Sequence, residues 1–179
     1  MASLTERMLG AAKLDAATYE EVEADTTATS QAMLVVVLSN LAAGFGAFRE
    51  LGIAGLLMTT LVTLIGWYVW AFVTYFVGTR FLPGPRTQAD VGQLLRPLGF
   101  SAAPGLIRVL GVIPGLAGVV SLIAAVWMLV AMVVAVRQGL DYEGTGRAVA
   151  VCLVGFACYV VVAFVLAAIL GVTAGMVGG

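Results

Sequence analysis

From Leu51 to Val77 the chain reads Leu51-Gly-Ile-Ala-Gly-Leu-Leu-Met-Thr-Thr-Leu-Val-Thr-Leu-Ile-Gly-Trp-Tyr-Val-Trp-Ala-Phe-Val-Thr-Tyr-Phe-Val77, without one Asp, Glu, Lys or Arg. Runs of about 18 or more apolar residues read as membrane spans, because a helix needs about 20 residues to cross a hydrocarbon core about 30 Å thick. Met33 to Phe48, Val109 to Val136 and Ala148 to Met176 are equally free of charge. Backbone groups in lipid must be paired within the protein, which leaves helices and closed barrels. Barrel strands alternate polar and apolar residues, and these runs do not. The expected fold is all-α, a polytopic transmembrane helical bundle.

Composition agrees. Of 179 residues, 61% are hydrophobic and 11% charged, against about 25% charged in an ordinary soluble domain. No soluble shell covers that much apolar surface. Glu6, Asp15, Glu20, Glu21, Glu23 and Asp25 crowd the start of the chain, so it is not read as a secretory leader, and the first span is expected to act as its own insertion signal.

Ser3-Leu4-Thr5-Glu6 has the form of a capping box and predicts a short helix. Leu4, Met8, Ala11 and Ala12 fall on one face of it, amphipathic enough either to lie at the membrane interface or to pack on protein. Asp15 is placed to cap a second helix through Tyr19 and Val22. Residues 1–30 thus form a cytoplasmic or interfacial segment, residues 31–171 a domain of about five spans, and residues 172–179 a glycine-rich tail.

The first span is expected from Gln31 to Phe48 and the second from Gly52 to Gly78, joined by a tight turn over Arg49-Glu50-Leu51-Gly52. Arg80 to Arg96 is the main polar break, stiffened by Pro83-Gly84-Pro85. Within it Asp90 caps a short amphipathic turn expected to carry Val91, Leu94 and Leu95 toward lipid. Leu98 to Val136 is too long for one span and barely enough for two. Pro114-Gly115 breaks it, giving a third span from Leu98 to Val112 and a fourth from Leu116 to Val136. A polar turn over Arg137 to Gly146 leads to the fifth, Arg147 to Gly171.

Charge bias favours this count. Five crossings with the N-terminus inside put Arg7, Lys13, Arg80, Arg86, Arg96, Arg137 and Arg147 on the inner side, and Arg49 and Arg108 on the outer. That is the positive-inside pattern. A single crossing over Leu98 to Val136 would move Arg137 and Arg147 outside and weaken it.

Reactive constellations are missing from the sequence. It has no histidine, which removes the usual general base, the usual haem ligand and most zinc sites. Glu50, Asp90, Asp141 and Glu143 lie in or beside loops, as solvated charges do. No catalysis, metal or cofactor is expected. A net charge of −1 with scattered cations excludes a nucleic-acid surface. Cys152 and Cys158 sit roughly 120° apart around one helix and read as small buried hydrophobes.

Within the spans, Arg108 is expected near a span end with its guanidinium among the headgroups. Asn40, Thr59, Thr60, Thr63, Tyr68, Tyr75, Ser121 and Tyr159 are expected as interhelical hydrogen-bonding groups. Trp67, Trp70 and Trp127 lie near the middles of spans, where an interfacial belt does not explain them, and read as packing or partner contacts. Gly111-x-x-x-Gly115 and Gly171-x-x-x-Gly175 permit close helix approach. The candidate packing and interaction residues are therefore Asn40, Trp67, Trp70, Pro104, Gly111, Pro114, Gly115 and Trp127.

Leu94-Leu-Arg-Pro-Leu-Gly-Phe-Ser-Ala-Ala-Pro104 resembles the entry to the third span of Yip1-domain proteins. Leu64-Ile-Gly-Trp67, running on to Tyr75 and Gly78, is similar to their second span. Val126-Trp127-Met-Leu with Val136-Arg137-Gln-Gly-Leu140 resembles their fourth span and its exit, and Gly144-Thr-Gly-Arg147-Ala148 their entry to the fifth. Tyr19-Glu-Glu-Val22 is similar to the acidic lead-in of bacterial members. The resemblance covers roughly residues 14 to 171. It implies a five-span bundle in a bacterial inner membrane, with a cytoplasmic N-terminus, the C-terminus outside, and no catalytic residues.

Three functions fit these features. One is a non-enzymatic adaptor that associates through its helices with itself or with other membrane proteins in the lipid bilayer. Another is an accessory or direct role in moving a lipid or neutral solute, suggested by the broken stretch around Pro104, Gly111, Pro114 and Gly115. The last is a peripheral subunit of a large membrane complex.

Overall fold

The Ser3 amide donates to Glu6 Oε2 at 2.7 Å, and the Glu6 amide to Ser3 Oγ at 3.3 Å. This closes the expected capping box and starts α1 (Leu4–Ala12). Asp15 accepts from the Thr18 amide, as its position predicts, and starts α2 (Ala16–Ala24). The computed structural model describes residues 2–44 and 48–177. Among them all regular structure is helical, with α3 (Ala28–Gly44), α4 (Phe48–Phe76), α5 (Val91–Phe100), α6 (Ala117–Gly139) and α7 (Thr145–Val177) completing the order.

Two of these helices are long and apolar enough to cross a membrane, Gly52–Phe81 and Ala117–Gly139. The first is α4 beyond its bend at Gly52, continued by a π-helical turn, Val77–Phe81. Only 6% of its most apolar window is buried, whereas a soluble core helix of that composition would be mostly covered. Ala28–Gly44 and Thr145–Val161 are shorter apolar helices.

Several boundaries differ from expectation. Phe48–Leu51 are already helical, so the change of direction falls at Gly52 instead of forming a four-residue turn. The rest of that connection, residues 45–47, lies outside the described residues. The backbone of α7 stays helical past Gly171 to Val177. Asp90 does cap a helix, in a box with Gln93, but α5 turns Leu94 and Leu95 into the protein core, not toward lipid. Four helices pack around α5, namely α2, α3, α4 and α6, and they take up its apolar face.

The expected third span, Leu98 to Val112, is not one α-helix. α5 ends at Phe100, and the chain continues as a 3₁₀ helix, Ala103–Val112, with Pro104 near its start. A 3₁₀ helix rises about 2.0 Å per residue against 1.5 Å for an α-helix. Its ten residues therefore reach about 20 Å, and a stretch that looked barely long enough gains length by tightening.

Close approaches fix the directions of the helices. A methyl on Gly99 would stand 2.7 Å from Ala32 Cβ, and one on Gly105 would collide with Ser39 and come within 2.8 Å of Met128 Sδ. At the far end Gly111 meets Ala117, and at the near end Gly139 meets Leu94 and Pro97. α5 with its 3₁₀ continuation thus runs parallel to α3 and antiparallel to α6. Asn40 pairs with Thr60 and Thr63, and Gly44 lies beside Leu56, so α4 is antiparallel to α3. Trp70 lies beside Gly155, and Gly66 beside Tyr159, so α7 is antiparallel to α4. Direction alternates at every step through five segments.

Candidate functional site: a polar lock beneath an apolar surface

Arg7 sits on the same helix face as Leu4 and Ala11, and a cation on an apolar stripe has to find buried partners. It is 2% exposed. Its Nη2 donates to Glu21 Oε1 at 2.9 Å and to Asp25 Oδ2 at 2.6 Å, and its Nη1 to Gln31 Oε1 at 3.0 Å. One side chain of α1 therefore ties α2 and the start of α3 together. Hydrogen bonds from Thr27 and Arg7 hold the Asp25 carboxyl well below the usual range, at about 2. With Ala11 fully buried and Leu4 and Met8 packed against the core, the N-terminal stripe lies on protein.

Arg96, expected among the cations of the polar break, is instead 6% exposed. Its Nε donates to the Glu23 carbonyl at 2.8 Å and the Val22 carbonyl at 3.0 Å, and Nη2 also reaches Glu23. These are carbonyls near the C-terminal end of α2, where a helix leaves acceptors unsatisfied and favours positive charge. Glu20 accepts from Gln138 Nε2 at 2.8 Å, so α2 is also fastened to the end of α6. Burial beside Asp141 pushes the Glu23 carboxyl up to about 7, with Arg96 opposing.

The candidate residues inside the bundle are placed as follows. Asn40 Nδ2 donates to Thr60 Oγ1 at 2.8 Å, and Thr63 Oγ1 donates to Asn40 Oδ1 at 3.0 Å, so the amide bridges α3 and α4. Trp67 Nε1 donates to the Leu95 carbonyl at 3.1 Å, joining α4 to α5. Trp70 packs edge-on against Tyr159 with ring centroids 6.2 Å apart, joining α4 to α7. Trp127 Nε1 donates to the Ala12 carbonyl at 2.8 Å. All three tryptophans thus contact other helices of the same chain.

The remaining candidates gather around the 3₁₀ helix. Pro104 is buried in its first turn. Pro114 is exposed in the turn before α6, where Gly115 has φ 84°, a conformation that costs other residues about 1–2 kcal/mol. No atom lies within 4 Å of a methyl placed on Gly115, so its role inside this chain is the turn and not helix approach. The packing of Gly171 and Gly175 lies outside the described side chains.

At the opposite end of the bundle the Tyr142 hydroxyl donates to the Leu82 carbonyl at 2.6 Å, with the Gly78 carbonyl at 3.1 Å. Thr87 Oγ1 donates to the Leu140 carbonyl at 2.9 Å. Arg147 lies over the Tyr142 ring, 5.8 Å from its centroid. Arg80, Arg86 and Arg147 are exposed nearby, and the Arg86–Glu143 pair at 3.7 Å is too exposed to contribute measurably. Sequence reasoning missed Arg7, Arg96 and Tyr142 as anchors. The usable signal was an arginine set inside an apolar pattern, Leu4/Arg7/Ala11 and Leu94-Leu-Arg96-Pro-Leu98.

Outside these anchors the surface is apolar. Ile53, Leu57, Leu61, Ile65, Phe72 and Phe76 stand exposed on α4, as do Leu122 and Leu129 on α6 and Leu153 and Phe156 on α7. Soluble monomers rarely expose patches beyond a few hundred Å², and lipid is the solvent such a surface fits. Among the described residues no group of three His, Cys, Asp or Glu could hold a metal ion.

No curated protein and no solved structure matches the chain. The family model of the Yip1 domain, however, matches residues 16–174, from the start of α2 to the last turns of α7, and so takes in every anchor described above except those on α1. With an all-helical fold, an apolar exterior and that match over most of its length, the chain belongs to the Yip1 domain family of membrane proteins.

Proposed function

We propose that the protein is a non-enzymatic, five-span membrane adaptor that works by helix association with copies of itself or with other membrane proteins. The observation that carries this is the contrast between inside and outside. Asn40, Trp67 and Trp127 of the candidate set spend their hydrogen bonds on joining helices of this chain, and Trp70 packs its ring on α7 with its indole N–H buried and unpartnered, while α4, α6 and α7 present long apolar faces outward. A catalyst needs converging reactive groups held free for a substrate. An adaptor needs a rigid frame and outward surface.

Support for five crossings comes from the alternating directions of α3, α4, the α5–3₁₀ segment, α6 and α7. An odd number of crossings puts the termini on opposite sides, and the positive-inside rule then puts the N-terminus in the cytoplasm and the C-terminus outside, in an inner membrane. The exposed Arg80, Arg86 and Arg147 cluster at one end of the bundle, which this reading makes the cytoplasmic end.

The test is native mass spectrometry from mild detergent and from nanodiscs, combined with affinity purification from the native membrane. A dimer or a co-purifying membrane protein is expected. Monomer alone, with nothing co-purifying in either medium, would sink the adaptor role.

A further inference from the structure

Arg108 is half-buried on the 3₁₀ helix, at the end of the bundle remote from the exposed Arg80, Arg86 and Arg147. It lines a cavity of about 250 Å³ together with Ala43 of α3, Gly111, and Ala117 and Ser121 of α6. Three of these neighbours are small and leave room, and the fourth carries a hydroxyl. Among the described residues no carboxylate pairs with this guanidinium. Next to the cavity in the chain, Val109, Leu110, Val112, Ile113 and Leu116 stand exposed. A cation and a hydroxyl are thus set in a hollow on a segment whose other exposed side chains are apolar. The cavity also holds the first residue of α6, whose N-cap, Leu116, makes no side-chain cap, so the positive end of the helix dipole adds to the charge of Arg108.

We propose that this cavity binds the phosphate of a phospholipid headgroup in the leaflet opposite the N-terminus, with the acyl chains lying along the exposed apolar side chains of the same segment. The inference rests on the five-span topology. The guanidinium forms charge-assisted hydrogen bonds to phosphate oxygens, Ser121 donates a further one, and the exposed apolar side chains favour a lipid over a freely hydrated anion.

The experiment compares wild type, Arg108→Gln and Arg108→Lys, purified in mild detergent and checked for equal thermal unfolding. Native mass spectrometry counts retained phospholipid, before and after adding inorganic phosphate or a short-chain phosphatidylglycerol. Wild type is expected to retain one phospholipid per chain, Arg108→Gln to retain about tenfold less, and Arg108→Lys to fall between. Short-chain lipid should displace the bound molecule and inorganic phosphate should not. Equal retention by Arg108→Gln overturns the site, and so does displacement by inorganic phosphate, which would mark a free-anion site. A cysteine placed at Gly115, labelled by an impermeant maleimide in sealed vesicles, tests the topology separately. Labelling from the N-terminal side would remove the five-span topology while the lipid count still tells whether Arg108 holds phosphate.

Discussion

The indole N–H of Trp127, near the middle of α6, donates to the carbonyl of Ala12, the last residue of α1, at 2.8 Å. Carbonyls in the last turn of a helix have no partner within it, so a side chain 115 residues away completes the end of α1. With Arg7, Arg96 and Gln138 it makes the N-terminal hairpin part of the bundle.

Trp127→Phe keeps an aromatic ring, though a smaller one, and removes the donor. The Ala12 carbonyl is then left without its partner, at a cost of about 1–2 kcal/mol. Hydrogen exchange should quicken selectively at the amides around Lys13 and Leu14 and stay slow in α4 and α7. Unchanged exchange there would show that the hairpin is not held by this bond.

Arg7→Met keeps the apolar stem, stops short of the guanidinium and leaves Glu21, Asp25 and Gln31 without their donor. Glu21 is 43% exposed and can rehydrate, while Asp25 is only 16% exposed. The expected loss is therefore about 2–4 kcal/mol, short of the full cost of breaking a wholly buried pair. Thermal unfolding in detergent measures it, and adding Asp25→Asn should restore part of the loss because it removes the stranded charge.

The contrast between Arg7 and Asn40 shows what the sequence made legible. Long charge-free runs, the capping residues Ser3, Asp15 and Asp90, and the Pro114-Gly115 break are local signals, and the structure follows them. Asn40 could be read as a helix bridge because a lone amide in an apolar run has few other fates. The partners of Arg7 and Arg96 depend on how α2 folds back across α5 and α6, a tertiary arrangement that no local pattern encodes. The 3₁₀ geometry of Ala103–Val112 is likewise a response to fit: Gly105 has Ser39 on one side and Met128 on the other.

Glu23 makes hairpin docking pH-dependent. Burial lifts its folded carboxyl to about 7, above the usual glutamate value of 4.5, so the folded state holds a proton that the unfolded state releases. Stability from this group is full below about pH 4.5 and is lost as pH rises toward 7. Glu23→Gln cannot ionise, and it should raise the unfolding temperature at pH 8 and leave it unchanged near pH 4. The Glu23 carbonyl that holds Arg96 is untouched by the change. An equal effect at both pH values would assign the gain to packing instead.

Gly105 and Gly118 separate close packing from helix propensity. A methyl on Gly105 enters Ser39 and presses on Met128, whereas one on Gly118 meets nothing within 4 Å. Overpacking a tight helix contact costs about 1–3 kcal/mol, and at Gly105 the Ser39 hydroxyl and the Met128 thioether must both give way to relieve it. Gly118→Ala, inside α6, should instead gain up to about 1 kcal/mol from better helix propensity. Unfolding of both variants in the same detergent gives the comparison, with Gly105→Ala expected to fall below wild type and Gly118→Ala to match or exceed it. If both glycines tolerated the methyl equally, the 3₁₀ segment would not be clasped between α3 and α6, and the alternation of directions behind five crossings would lose its central link.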